Sequence, residues 1–574
     1  MSDNDPVVRF PPEVTLRMLE FAPISSLANL TAGSRDWHGF IDVTHQEAIY
    51  SKQNDATGLD GSKDLAPAPS FSQYLEGAKS SKELYKRQTL LSRNWRSTRP
   101  VTTETVLQLQ DGIQQFRADF SRRFFVSTSL EGLHVTDMDS GTILWSQPFL
   151  GIWVDHERSI QPPRLEYEDG VAVLNHLGRA LEVWHMGAGN LRRGEFGLLG
   201  IPTFSCEICG FHLSAGTLCV VLSIGDIYTW DLWPHHLLRS FRQIQIPEDV
   251  AGSLYYDSQV LVFSTRQRGI QFYDTQSGES LGILKPGAEV SRYHVLLPDS
   301  AVAVLQDRPT DFSSPPDEPR DDRLVPLTIM AGPLPGDNDS VTATYVADEW
   351  ETCTLDGKLF VGLSTLGSLY ICPDWRQALQ GQHQHSAMVQ CDTGNSTFEF
   401  DKSQFRLSVK NHRIMFDVCQ WMYIVALDSE DRVQRPSTPS TASASRFRPS
   451  YAYPTCAPSF VADPVIDFAL FDDCVMSTCS VGTLPSRPAH PSPTAGDQQA
   501  DGEANDPANI SFEEESQEQV NCSCSDVYGY EPGHERRCAS KMLRILSFAP
   551  QDVTPHPPSL EAASSSSCEK MAIA

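Results

Sequence analysis

Two groups of cysteine and histidine residues are spaced as metal ligands could be. The first lies in the segment CEICGFH and the second follows an acidic stretch; their members are Cys206, Cys209 and His212, and Cys522, Cys524, His534 and Cys538. Thiolate and imidazole groups are the usual ligands of structural zinc, which is held by a complete tetrahedral set. The first group has no fourth ligand nearby, and alternating burial along a strand explains its spacing more simply. We therefore predict no metal, with zinc at either group as the alternative.

Other catalytic chemistry has no support in the sequence. The chain has no Gly-x-Ser-x-Gly segment, His-Glu-x-x-His motif, phosphate-binding glycine loop or dinucleotide fingerprint in a strand–turn–helix setting. A RING-like cysteine set and an activated cysteine nucleophile are absent as well. We predict a non-catalytic chain without a cofactor, whose role is to bind other proteins.

Composition restricts the class of partner. The formal net charge is −28 in 574 residues, so nucleic acid and anionic lipid would be repelled. No run approaches the ~20 apolar residues that cross a bilayer, and the N-terminal segment MSDNDPVVRF lacks a signal-peptide pattern. We expect a cytoplasmic or nuclear protein with reduced cysteines. Four arginines could serve a pocket for acidic or phosphorylated peptides, although solubility explains them equally well: Arg192, Arg193, Arg266 and Arg268.

The N-terminal segment reads as short helices separated by prolines. Pro12 suits the first position of a helix, where the missing N–H has no cost. Val14, Met18 and Phe21 fall on one stripe of that helix, and Leu16 and Leu19 fall on another. A unit of about 35 residues is too small to cover two apolar stripes with its own core. One stripe is therefore expected to meet a partner protein or the next domain.

The remainder of the chain has a repeated β pattern. From about Val106, short β-rich runs recur roughly every 40–55 residues, separated by Gly, Asp and Ser turns. Asp137 to Gly141 and Asp274 to Gly278 occupy the same place in their repeats, where the carboxylate can bond to turn backbone. This scheme is typical of propeller blades and predicts seven or eight of them. KMLRILSF, from Lys541, reads as the last strand, so the final blade should contain a long insertion.

The predicted architecture is mainly β, with a small all-α unit in front of a β-propeller. Leu84, Leu91 and Trp95 recur at helical spacing and predict one amphipathic helix between the two. We place a helical domain at 1–50, a flexible linker at 51–81, a linker helix at 82–100, the propeller at 101–550 and a disordered tail at 551–574. Disordered insertions are expected at about 308–323, 430–450 and 484–535, where the sequence is polar and rich in proline.

The N-terminal segment resembles the F-box. The matching residues are Phe10, Pro11, Pro12, Glu13, Leu16, Leu19, Phe21, Pro23, Leu27, Leu30, Ser34, Trp37 and Ile41. The helix ELYKRQTLLSRNW resembles the linker helix of F-box proteins with WD repeats, and the repeats resemble degenerate WD blades, with the Trp-Asp dipeptide once, at Trp230 and Asp231. The resemblance implies a receptor subunit of a Skp–cullin–F-box (SCF) ubiquitin ligase, in which the propeller binds a client protein.

The same resemblance implies which side chains meet the Skp-type adaptor, and through it the cullin-RING ligase. They are Phe10, Pro11, Pro12, Val14, Leu16, Leu19, Ile24, Leu27, Leu30 and Trp37. One alternative is a propeller scaffold whose F-box-like segment recruits no ligase, and the small residues Ala32 and Gly33 favour it. A propeller enzyme similar to quinoprotein dehydrogenases is a further alternative, supported only by the blade pattern. Adaptor binding separates the first interpretation from the other two.

Overall fold

All but one of the described helices precede the strands along the chain. In the computed structural model, the described residues are 5–22, 24–56, 69–107, 113–129, 132–149, 164–176, 178–186, 192–233, 236–238, 243–245, 254–265, 269–284, 290–296, 324–333, 350–364, 367–391, 406–418, 421–434, 449–454, 467–482 and 539–550. The helices are α1 (Pro6–Arg9), α2 (Pro12–Glu20), α3 (Ile24–Gly33), α4 (Arg35–His38), a π-helical turn (Gly39–Thr44), α5 (Gln46–Ala56), α6 (Ser81–Trp95) and α7 (Trp375–Leu379). None of the helices described is long and apolar enough to cross a membrane.

The strands of the first half form consecutive antiparallel meanders. After β1 (Thr103–Leu107), the first two meanders are β2 (Gln115–Asp119), β3 (Phe124–Thr128), β4 (Gly132–Asp137) and β5 (Ile143–Pro148), then β6 (Leu165–Glu168), β7 (Val171–His176), β8 (Ala180–His185) and β9 (Gly197–Gly200). The third and fourth are β10 (Ile208–Ser214), β11 (Thr217–Leu222), β12 (Asp226–Trp233), β13 (His236–Leu238) and the short β14 (Gln243–Gln245), then β15 (Leu254–Tyr256), β16 (Val260–Thr265), β17 (Gly269–Asp274) and β18 (Ser280–Leu284).

The second half adds a pair of strands and three more meanders. The pair is β19 (Ser291–Leu296) and β20 (Val325–Ala331). The fifth and sixth meanders are β21 (Trp350–Asp356), β22 (Leu359–Ser364), β23 (Ser368–Cys372) and β24 (Ala387–Cys391), then β25 (Leu407–Lys410), β26 (Arg413–Val418), β27 (Trp421–Ala426) and β28 (Ser450–Pro454). The seventh combines β29 (Phe468–Leu470), β30 (Cys474–Gly482) and β31 (Ala539–Ser547) with β1 from the other end of the propeller.

These meanders are arranged as the blades of a propeller. The first strands of successive meanders lie side by side in the order β2, β6, β10, β15, β21, β25 and β29. The ring closes at Asp467, which lies just before β29. The carboxylate of Asp467 accepts a hydrogen bond from the backbone N–H of Phe116 in β2 at 2.8 Å. A ring of first strands with each meander running outward is the β-propeller arrangement. The mainly β prediction is confirmed, and the described residues form seven blades.

The apolar core lies between neighbouring blades. Phe124 and Val126 of blade 1, for example, pack with Leu165 and Leu174 of blade 2, and all four side chains are essentially inaccessible to water. The predicted turn at Asp137 forms the expected hydrogen bond, since the Asp137 carboxylate accepts from the backbone N–H of Ser140 at 2.7 Å. The glycine that follows this turn, Gly141, has φ +69°, a conformation that favours glycine.

Three features differ from the predicted boundaries. The helical region continues to Ala56, and α6 ends at Trp95 rather than at residue 100. The predicted flexible linker 51–81 includes Tyr74 and Leu75, which are 2% and 8% exposed and pack against α6 and the propeller. Burying these two side chains stabilises the folded chain, whereas a flexible segment would leave them in water. This part of the predicted linker is therefore ordered structure.

The predicted insertions fall mainly on residues that the structure does not describe. The segments 308–323 and 484–535 and the tail 551–574 lie outside the described residues. The insertion predicted at 430–450 begins too early, because Val433 forms an antiparallel bridge with Leu427. The predicted insertion also ends too late, since β28 begins at Ser450. The long insertion predicted within the last blade agrees with the gap between Gly482 and Ala539 in the paired strands β30 and β31.

Candidate functional site

The N-terminal helices enclose a small core of their own. Its buried members are Leu19, Leu27, Ile41, Ile49 and Tyr50. Around them pack the partly buried side chains Leu16, Ala22, Leu30, Trp37, Phe40 and Tyr85. Leu16 and Leu19 are thus the stripe of α2 that faces inward, as one of the two stripes must in a unit of this size.

The second stripe of α2 is exposed. Val14, Met18 and Phe21, here called the apolar stripe, are 45%, 53% and 76% accessible to solvent. They are spaced four and three residues apart and therefore lie on one side of the helix. Phe10 and Val8, just before α2, are also exposed, at 43% and 61%. Apolar side chains grouped on one helix face of a small unit are typical of a surface that a partner covers.

The side chains predicted to contact an adaptor differ in their exposure. Those open to solvent are Phe10, Pro11, Pro12 and Val14. Those that are half-buried are Leu16, Leu30 and Trp37. Leu19 and Leu27 are 4% and 0% exposed, which corrects their assignment, because side chains that fill the unit's own core cannot contact a partner without unfolding it. The side chain of Ile24 lies outside the described residues.

Local sequence signals determine where these helices begin. Asp5 caps α1 by accepting from the backbone N–H of Val7 at 3.2 Å. Pro12 is the first residue of α2, as predicted. The N–H group at this position has no partner within a helix, so its absence in proline has no cost. Ser34 caps α4 through the N–H of Asp36 at 3.2 Å. These signals set the first residues of α1, α2 and α4.

Helix α6 joins the helical unit to the propeller. At its start, Lys82 pairs with Asp42 at 2.6 Å, and the backbone N–H of Ser81 donates to Glu47 at 3.2 Å. At its end, the Trp95 ring stacks on Phe548 with the ring centroids 3.4 Å apart, and its indole N–H donates to the Asp472 carbonyl at 2.9 Å. Because both ends of α6 are held, the apolar stripe has a defined position relative to the propeller.

Asn94 provides a test of this connection. Its side-chain amide donates to the carbonyls of Val101 and Phe548 at 2.7 Å each, and its oxygen accepts from the N–H of Val101 at 2.9 Å. We expect Asn94→Ala to lower the free energy of unfolding by about 1–2 kcal/mol, measured by urea denaturation of the full-length chain. The control is the exposed Gln380, which follows α7 on the propeller. Gln380→Ala should change the free energy of unfolding little. Equal stability of the two variants would contradict a structural role for Asn94.

A second group of polar side chains lies where the first strands of several blades converge. We call Arg117, Arg164, Glu166, His212, Arg406 and Asp467 the channel cluster. Asp467 is 2% exposed and pairs with Arg117 at 3.0 Å and with Arg406 at 2.7 Å. Glu166 pairs with Arg164 at 3.3 Å and faces His212 at 3.6 Å. Ion pairs therefore link blade 7 to blades 1 and 6, and the contact of His212 with Glu166 links blade 3 to blade 2.

The pKa values of the cluster reflect burial opposed by close charges. Burial raises the pKa of Glu166, but the positive charge of His212 when that ring is protonated, together with the charges of Arg164 and Arg117, outweighs it and the net pKa is lowered. Burial is the main cause that lowers the pKa of His212, with Glu166 opposing it. Burial also lowers the pKa of Arg406, and repulsion from Arg117 and Arg164 adds to the effect. Glu166 is thus held as a carboxylate and His212 is biased towards its neutral form.

Asp417, on β26 beside Arg406, makes stability depend on pH. Burial raises its pKa to about 7, with Arg406 opposing the shift. A carboxyl whose pKa is near 4 in the unfolded chain and higher in the folded one binds protons better when folded, so stability falls as pH rises between these values. We expect Asp417→Asn to stabilise the chain more at pH 8 than at pH 5, by about 2 kcal/mol. Urea denaturation of both proteins at the two pH values measures this, and a pH-independent difference would contradict it.

The cysteine and arginine candidates that the structure describes are not brought together into a common site. His212 faces Glu166, Cys206 packs against the core of blades 2 and 3, and Cys209 packs against the core of blades 3 and 4. The described residues contain no group of three metal-ligating side chains, and the second cysteine group lies outside them. Arg193 is bound to Asp137 at 2.6 Å, which gives it a structural role, and Arg266 and Arg268 lie outside the described part of the chain.

Comparisons with known proteins do not place the chain in a family. No family model matches, and no curated protein matches. Among solved structures, Sqt1 of Saccharomyces cerevisiae has a TM-score of 0.37 at 10% identity, covering 66% of this chain and 82% of its own. Hsv2 of Kluyveromyces lactis has a TM-score of 0.34 at 10% identity, covering 65% of this chain and 95% of its own. BamB of Moraxella catarrhalis has a TM-score of 0.34 at 9% identity, covering 64% of this chain and 83% of its own. Likenesses this low carry no argument, and the propeller arrangement rests on the strand order.

Proposed function

We propose that this chain is the client-binding subunit of an SCF-type ubiquitin ligase. The apolar stripe, together with Phe10, Pro11 and Pro12, docks the Skp-type adaptor, and the propeller holds a client protein. The observation that carries the proposal is the exposure of Val14, Met18 and Phe21 on a helical unit whose opposite stripe fills its own core. The order of residues that resembles the F-box names the adaptor as the partner. Such a subunit would work in the cytoplasm or nucleus, where its partners occur.

The mechanism requires geometry and no catalytic residue on this chain. A client held on the propeller has a high effective concentration near the ubiquitin-charged enzyme. That benefit depends on a fixed spacing between the adaptor and the client. The contacts at both ends of α6, from Lys82 to Trp95, support such a fixed spacing.

A reconstituted ligase tests this function directly. In the absence of a client, a receptor docked on the adaptor and cullin-RING complex is itself the nearest protein, so its own lysines should be modified. We expect ubiquitin chains on the full-length protein that depend on the adaptor. Unmodified protein in an assay where a known receptor is modified would overturn the proposal.

A non-catalytic scaffold is the second candidate. Ala32 and Gly33, at the end of α3, are exposed, and nothing lies within 4 Å of the position of a Cβ on Gly33. Small side chains there offer a partner little apolar area. A scaffold would give no adaptor-dependent modification in the same assay, and its partners would bind the propeller alone.

A further inference from the structure

The channel cluster holds more positive than negative charge. Its three guanidinium groups, on Arg117, Arg164 and Arg406, share the two carboxylates of Glu166 and Asp467. The neighbouring Asp417, whose pKa is about 7, carries only part of a negative charge near neutral pH. The excess is unusual in a chain whose formal net charge is −28. A positive site in such a chain is a place where an anion is favoured locally rather than repelled.

Some donors of the cluster have no acceptor. A guanidinium group has five N–H donors, and a buried donor without a partner has a cost. The Nε of Arg406 is buried and bonds to no atom of the described residues, although its Nη1 pairs with Asp467. The bonds that Arg117 makes both use its Nη1, to Asp467 and to its neighbour's carbonyl. Arg406 therefore has one N–H donor that no acceptor of the described residues meets.

The arginines come from blades on different sides of the ring. Arg164 precedes the first strand of blade 2 and Arg406 precedes the first strand of blade 6, with blades 7 and 1 between them. Arg406 and Arg117 pair with the same carboxylate, that of Asp467, and repulsion from Arg164 also contributes to the lowered pKa of Arg406. Positive charge from blades 1, 2 and 6 is thus concentrated on one part of the inner ring.

The cluster lies at the end of the channel away from the helical unit. Arg164, Arg406 and Asp467 come just before the first strands of their blades. The other ends of the first strands lie on the side where α6 packs, since Asp472, in the turn after β29, receives the indole N–H of Trp95. Entry at the cluster end is therefore independent of the surface proposed for the adaptor.

We infer that the channel cluster binds a small oxyanion, a phosphate or a carboxylate, between Arg406, Arg117 and Arg164. Guanidinium groups bind both kinds of oxyanion through paired charge-assisted hydrogen bonds. The bound anion offsets the excess positive charge of the three guanidinium groups. It also connects blades on both sides of the ring closure. The inference does not depend on whether the helical unit recruits a ligase.

Titration calorimetry of the full-length chain tests this site. The probes are inorganic phosphate and acetate, each at an ionic strength held constant with sodium chloride. We expect saturable binding of at least one of them, and which one binds more tightly distinguishes a phosphate site from a carboxylate site. Arg164→Gln and Arg406→Gln, measured separately, should each weaken that binding by at least about tenfold.

The control is Arg432→Gln, which removes a partly exposed arginine that pairs with Glu430 on blade 6. It should bind the anion as the unaltered chain does. Arg164 is 31% exposed and its loss leaves Asp467 paired, so at least this variant should fold. The absence of saturable binding in the unaltered chain, or equal binding in the folded Arg164→Gln variant, would overturn the inference.

Discussion

Replacing Val14 and Met18 by aspartate is expected to weaken binding of a Skp-type adaptor by at least about 100-fold while the chain stays folded. Both side chains are about half exposed in the free chain, so the substitutions remove no core contact. In the complex they would place two carboxylates in an apolar interface, where their desolvation is not offset by a partner charge. Biolayer interferometry with immobilised adaptor measures the change.

Two further variants separate docking from folding. Val43→Asp alters an apolar side chain of the same helical unit that is 71% exposed but lies in the π-helical turn, so it should leave binding unchanged. Leu19→Asp buries a charge in the unit's core and should unfold it, so its loss of binding would carry no information about docking. Adaptor binding by the Val14→Asp, Met18→Asp variant at the affinity of the unaltered chain would rule out the apolar stripe as the docking surface.

Asp467→Asn is expected to lower the free energy of unfolding by about 3–5 kcal/mol, because it leaves two partly buried arginines without the buried carboxylate that they share. The Asp467 carboxylate pairs with Arg117 and Arg406 and accepts from the backbone N–H of Phe116 at 2.8 Å. It therefore ties the last blade to the first and to the sixth. Asparagine keeps the shape of the side chain and removes its charge. Equilibrium unfolding in urea measures the loss.

The matched control for Asp467 is an exposed aspartate. Asp139 pairs with Arg123 and is 60% exposed, so Asp139→Asn should cost less than about 1 kcal/mol. A loss for Asp467→Asn as small as that of the control would mean that closure of the propeller does not depend on this charge. A loss accompanied by early unfolding of blade 7 in hydrogen exchange would locate the effect at the closure.

The blades could be predicted from sequence because each is a local pattern. Alternating strands and Asp-Ser-Gly turns, as at Asp137, recur within a few dozen residues and need no tertiary information. Two features could not be predicted in this way. The strand β1 completes a blade whose other strands lie more than 350 residues further along the chain. The pair β19 and β20 joins the outer strands of blades 5 and 6 into one sheet of ten strands.

The candidate site was predictable only in part. Periodicity in α2 indicates two apolar stripes, yet it cannot say which one faces the core. The F-box resemblance assigns Leu19 of α2 and Leu27 of α3 to the adaptor surface, whereas both side chains fill the core of the helical unit. Met18 and Phe21 belong to the outward stripe although the family pattern does not include Met18. The channel cluster has no local signal, because Arg117 and Asp467 are 350 residues apart and meet only when the ring closes.

The most direct test of the proposed function is titration calorimetry of the intact chain with the Skp-type adaptor of its own organism. We predict a 1:1 complex with a dissociation constant of about 1 µM or tighter, the range expected of a specific protein interface. Circular dichroism of the same sample establishes that the chain is folded. A folded chain that gives no binding heat at adaptor concentrations of about 100 µM would contradict a role as a ligase receptor and leave the propeller as a scaffold.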